Sequence, residues 1–199
     1  MFDSLSALQD LPMTEGRDGA DGRRQLRLGE LRGGHLAQLG VFPGGADAVA
    51  AATRGALGAA PPLSPNEAAA HGALRMMRIA SDQYWILAPQ PDPLRALRSA
   101  LPADAGSLLC LAGARTRLLI EGTAAARLLE RLVPIDLDPG SFPVGRFAQT
   151  GLHHVGGLLY HAAPGRYEFF ALRTFAACTF EVLADAARPF GYDFTFTDA

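Results

Sequence analysis

The chain has 199 residues, 49% of them hydrophobic and 19% charged, a balance that supports a packed core and excludes a disordered polymer. A net charge of −2 without a basic stripe gives nucleic acid or an anionic membrane surface nothing to hold. All 18 basic residues are arginine, which excludes a Schiff-base lysine, a P-loop lysine and a lysine general base.

"MFDSLSALQDLPM" has an early acid, no basic leader and no long apolar run, so no signal peptide is expected. No window of ~18 apolar residues calls for a membrane span, and the expected location is cytoplasmic. Residues 1–35 ("GRDGADGRRQLRLGELRGG" at their centre) read as a loosely ordered arm with one short strand near "RQLRLGEL". "DGADG" lacks the alternating oxygens and distal Glu of a calcium loop and is expected to be a turn.

"GGADAVAAATRGALG" predicts a helix, with Asp47 as cap and Gly58 in the left-handed conformation at its end. "ALRMMRIASDQYWILAPQ" predicts a hairpin turning at "ASDQ". "PDPLRALRSAL" predicts a helix with Asp92 at the N-cap and Leu94, Leu97 and Leu101 on one buried face. "SLLCLAG" and "TRLLIEG" read as strands, and "TAAARLLERLV" as a helix capped by Thr123. "GLHHVGGLLYHA" and "RYEFFALR" read as strands around the turn "APGR". A last helix, "TFAACTFEVLADAARPFG", starts at Thr174.

Hairpin followed by helix thus occurs twice. The expected fold is an α+β sandwich of two related hairpin–helix lobes, about 36–105 and 106–199, within one domain over 36–199. "EFFAL" and "YWIL" are apolar on both faces, so both faces require a cover, and another subunit is one candidate for it. Cys110 and Cys178 lie in apolar contexts and are expected to be buried free thiols in a reducing compartment.

No catalytic constellation emerges. There is no G-x-S-x-G elbow, no G-x-G-x-x-G and no Walker sequence. His153 and His161 would share a face of one unbroken strand, with the glycines at 156 and 157 able to scramble the parity, and a metal would still need a third ligand. In "PIDLDPG", Asp136 and Asp138 fit turn chemistry, with a general base as the other option.

The stretch "LIEGTAAARLLERLVPIDLDPGSFPVGRFAQTGLHHVGGLLY" resembles the signature of the gamma subunit family of heterotetrameric sarcosine oxidase. The matching positions are Gly122, Ala125, Leu128, Leu129, Pro134, Asp136, Leu137, Pro139, Phe142, Gly145, Arg146, Ala148, Gln149 and Thr150. A later step, Arg173, Thr174, Phe175 and Ala176, carries Thr for the family's Ser. Upstream, Trp85 stands at a family Trp, while Ala80-Ser81 replaces a Gly-Pro. The resemblance covers residues from about 40 to 192. It implies a fold similar to the folate-binding domain of the glycine-cleavage T-protein. It also implies a non-catalytic subunit that binds no cofactor or metal and contacts a large alpha subunit. The complex would carry FAD, FMN and NAD on its other subunits, demethylate sarcosine to glycine and pass the one-carbon unit to tetrahydrofolate. Under this resemblance the interaction residues are Trp85, Pro134, Asp136, Gly145, Arg146, Gln149, Arg173 and Phe175. Gly145 would permit a sharp turn, while Arg146 and Gln149 would fix a loop or reach a neighbour. In isolation the chain would self-associate or be poorly soluble.

Two alternatives stay open: a stand-alone folate or pterin module using Asp136 with Tyr84 or Trp85, and the equivalent subunit of an N-methylglutamate dehydrogenase-like complex. The iron–sulfur branch of the same superfamily needs a K-G-C motif that a lysine-free chain lacks.

Overall fold

The computed structural model describes residues 6–9, 11, 16–66, 68–111 and 113–198. In chain order these form β1 (Leu26–Arg32), β2 (His35–Val41), α1 (Ala46–Leu57), β3 (Ala68–His71), β4 (Leu74–Ala80), β5 (Gln83–Ala88), α2 (Asp92–Ala100) and β6 (Gly106–Cys110). There follow β7 (Arg115–Glu121), α3 (Ala125–Leu129), β8 (Phe147–Leu152), β9 (Val155–Ala163), β10 (Arg166–Leu172), a 3₁₀ turn over Arg173–Phe175, α4 (Ala176–Ala187) and β11 (Tyr192–Asp198). Two compact units result: Gly33–Ala112, and Met1–Arg32 together with Gly113–Ala199. The lobe boundary therefore differs from the expected one, because β1 hydrogen-bonds between β7 and β11 and so belongs with the second half of the chain.

The five-stranded unit has strand order β3-β4-β5-β2-β6. Its hairpin turns at Ser81-Asp82, as the polar break in the sequence predicts. Leu39, Met76, Ile86 and Leu97 are among its deepest apolar residues, with Val49 and Leu57 of α1 against them and Leu94 and Leu101 partly buried. Gly58 closes α1 at φ 72°, where the missing Cβ removes the left-handed penalty. Asp47 and Asp92 sit in first turns, not at caps, so they act on the helix dipole instead.

The six-stranded unit has order β11-β1-β7-β10-β9-β8. Its run β8-β9-β10-β7-β1 repeats the neighbour order of β3-β4-β5-β2-β6 strand for strand. Both series read strand, helix, three strands, helix, which is the hairpin–helix repeat expected from the sequence. Its core joins Leu28, Leu118, Ile120 and Phe169 to Phe180 and Leu183 of α4. At ~1.5–3 kcal/mol per large side chain, those two residues make a major contribution to docking α4, beside the buried Ala176, Ala184 and Ala187.

Several expectations change. "SLLCLAG" and "TRLLIEG" lie in different sheets. α3 spans five residues, and neither Thr123 nor Thr174 makes a side-chain cap bond. "GLHHVGGLLYHA" is not one strand, because His153 (φ 52°) and His154 form the tight turn between β8 and β9. Both cysteines are exposed: Cys110 ends the edge strand β6, and helical spacing puts Ala176, Phe180, Leu183 and Ala187 inside but Cys178 outside. Phe169 and Phe170, on opposite faces of β10, are both fully buried within the chain.

The described part of the N-terminal arm is anchored. Glu30 of β1, 6% exposed, accepts hydrogen bonds from the Ser6 hydroxyl, the Ala7 N–H (3.1 Å) and the Thr116 hydroxyl (3.0 Å), and Leu8 is fully buried beside them. A buried carboxylate is tolerated when donors converge on it in this way. Gly29 of β1 lies so close to β11 that a Cβ would sit 1.8 Å from the Thr195 carbonyl oxygen.

Candidate interaction site in the Asp136 loop

Residues 134–146 link α3 to the edge strand β8, and their polar residues bond chiefly to one another. Asp136 Oδ1 accepts the Asp138 N–H at 2.9 Å, and Asp136 Oδ2 accepts the Ser141 hydroxyl at 2.5 Å. Asp138 Oδ1 accepts the Gly140 N–H at 2.8 Å, and the Asp138 carbonyl accepts the N–H groups of Ser141 and Phe142. Of the two roles open to this acid pair, turn chemistry is the one in the geometry.

The Ser141 hydroxyl, followed by the Asp138 N–H, holds the Asp136 carboxyl below the usual aspartate range against a small opposing effect of desolvation. The folded-state value is depressed, so this clamp contributes above the unfolded-state value and is lost as pH falls through the folded one. An NMR carboxyl-carbon titration should give Asp136 a lower midpoint in the parent than in Ser141→Ala. Equal midpoints would show that the hydroxyl does not hold the loop.

Three bonds pin the far end of the loop to His161 of β9. His161 Nδ1 lies 2.8 Å from the Phe142 carbonyl, the His161 N–H donates to the Arg146 carbonyl at 2.9 Å, and the Gly145 N–H donates to the His161 carbonyl at 2.8 Å. A carbonyl only accepts, so Nδ1 carries a proton. The ring's Nε2 is buried and has no hydrogen-bond partner. The ring stacks on Tyr167 (centroids 4.4 Å, 13° between planes) and on Phe142 (6.1 Å, 5°). Gly145 adopts φ 88° with open space where a Cβ would be, so backbone conformation alone selects glycine there.

A cleft of ≈ 690 Å³ opens beside this loop, walled by Glu130, Asp136, Asp138, Val144, His161 and Tyr167 among others. Burial, then the nearby Glu130 charge, raises the Tyr167 hydroxyl above its ordinary value, so it stays protonated.

The structure brings Pro134, Asp136, Gly145, Arg146 and Gln149 onto this loop and the strand it feeds. Arg173 and Phe175 lie at the turn between β10 and α4, where Phe175 is 46% exposed and Leu172 40%. Trp85 sits apart in sequence on β5 of the other unit, buried, with its indole N–H on Gln38 Oε1 at 3.3 Å. Asp136 engages both carboxylate oxygens within its own loop, and Tyr84 and Trp85 are core residues, so the arrangement gives no support to the pterin option. His161 lies on a strand and is hydrogen-bonded, as the sequence reading of a strand histidine expects, but the sequence does not give its partner. Its only signal, an isolated His in an apolar run, is shared by many core histidines.

Residues 44–188 match the model of the sarcosine oxidase, gamma subunit family. The chain belongs to that family. It is 31% identical over 175 residues to sarcosine oxidase subunit gamma of Corynebacterium sp. (strain U-96), covering 85% of this chain and 82% of that one. To the same subunit of an Arthrobacter species it is 29% identical over 155 residues, covering 77% and 76%. A chain of the heterotetrameric sarcosine oxidase of Corynebacterium sp. U-96, solved in complex with pyrrole 2-carboxylate, superposes with a TM-score of 0.77 at 30% identity, covering 87% of this chain and 88% of that chain. The glycine cleavage system aminomethyltransferase T of Bartonella henselae gives a TM-score of 0.61 at 14% identity, covering 87% of this chain and 48% of that chain, and shows the shared fold. Family membership thus agrees with the motif, and the α+β fold is that of the T-protein.

Proposed function

We propose that this chain is the gamma subunit of a heterotetrameric sarcosine oxidase, a packing subunit that stabilises the large alpha subunit and leaves chemistry to its partners. The carrying observation is the superposition, over 87% of the chain, on a chain of a solved heterotetrameric sarcosine oxidase. The site chemistry supports it. Asp136 bonds its own loop, and His161 Nδ1 is committed to a carbonyl. In this reading the flavins, the NAD and the tetrahydrofolate site belong to the other subunits. The exposed Leu172–Phe175 corner and the Asp136 loop face the large chain. Among the described residues no helix is long and apolar enough to cross a membrane.

Purification of the chain from its native source, followed by a visible absorption spectrum, tests this directly. Two larger chains and flavin absorbance should accompany it at fixed stoichiometry. A colourless protein purified alone from its own cell extract would refute the assignment.

A further inference from the structure

The cleft beside the Asp136 loop has a one-sided chemistry. Its wall includes the acidic residues Glu130, Asp136 and Asp138 and no arginine, and the loop bonds of Asp136 and Asp138 leave their negative charge in place. Among the described residues none of the three forms an ion pair. Negative charge around a concavity favours the entry of a cation.

His161 adds an independent observation. The residue is 6% exposed, lines the same cleft, and holds a buried ring nitrogen with no hydrogen-bond partner. The charged side chains of the wall are therefore all acceptors, while the hydroxyls of Thr123 and Tyr167 can turn either way. Among the described residues no three of the His, Cys, Asp and Glu side chains are placed to hold a metal ion. The match is to an organic cation with several spread N–H donors, a description that fits guanidinium. Val144, 50% exposed, and Pro143 supply an apolar flank for a methylene stem.

We propose that this cleft receives an arginine side chain of the large partner subunit, a proposal that rests on the subunit reading above. The assay is the affinity of this chain for the complex reassembled with its native large subunits. Glu130→Gln removes one charge from an exposed residue and keeps its shape. It is expected to weaken binding about three- to five-fold at low salt, with the difference fading near ~1 M salt. Thr123→Arg places a cation in the cleft from within and should weaken binding by more than about ten-fold. Added N-acetyl-arginine amide should compete in the parent, whereas its neutral citrulline counterpart should not, and this arm needs no variant to fold. Assembly of the parent with no response to either variant or to the competitor overturns the cleft proposal and leaves the subunit reading standing. Failure of the parent to assemble overturns both.

Discussion

Glu168→Leu alone is expected to destabilise the six-stranded unit by about 3–5 kcal/mol, and Glu168→Leu with Arg117→Met to return within about 1 kcal/mol of the parent. Arg117 Nη2 donates to Glu168 Oε2 at 2.9 Å across β7 and β10, with the two side chains only 11% and 8% exposed. The guanidinium also lies 5.6 Å from the Phe170 ring centroid, and its Nε has no partner. Removing the carboxylate leaves a desolvated cation facing apolar groups, which costs more than the pair contributes. Removing both groups deletes the desolvation penalty as well. Denaturant unfolding of the parent, the single and the double variant gives the cycle. A single-variant loss below about 1 kcal/mol, or a double variant worse than the single, would show that this pair is not effectively buried.

That pair also marks where sequence reading stops. Period-two alternation and turn residues revealed the β4–β5 and β9–β10 hairpins, because "ASDQ" and "APGR" break apolar runs locally. The helices over 46–57 and 176–187 were legible from apolar spacing. "EFFAL" reads as greasy on both faces only while Glu168 is left out of account. Its partner Arg117 lies on another strand, and no local pattern announces that contact. β11 carries clear alternation, with Tyr192, Phe194 and Phe196 against Asp193, Thr195 and Thr197. Nothing in it says that it pairs in parallel with β1, from the opposite end of the chain. The same holds for the arm, whose Ser6 hydroxyl finds Glu30 only in the folded state. In the site, the Asp136 loop was readable because Asx bonding spans two or three residues. His161 was not, because its role depends on a carbonyl nineteen positions earlier.

Phe180→Ala is expected to cost about 3–5 kcal/mol, and Phe180→Leu about 1–1.5 kcal/mol. Phe180 is fully buried and meets Phe194 of β11 edge to face (5.2 Å, 84°), which in turn meets Phe196 in the same way (4.8 Å, 88°). Truncation thus opens a cavity and removes an aromatic contact worth about 0.5–1.5 kcal/mol beyond area. The consequence reaches the interaction surface, since α4 continues directly from the turn bearing Arg173 and Phe175. If α4 positions that corner for the large subunit, the Ala variant should lose complex yield along with melting temperature, while the Leu variant keeps both nearly intact. Thermal unfolding and co-purification yield, measured together, decide it. Full complex yield from an Ala variant several kcal/mol less stable would mean that the partner restores α4 by binding it, so that α4 docking in the free chain is not what presents Phe175.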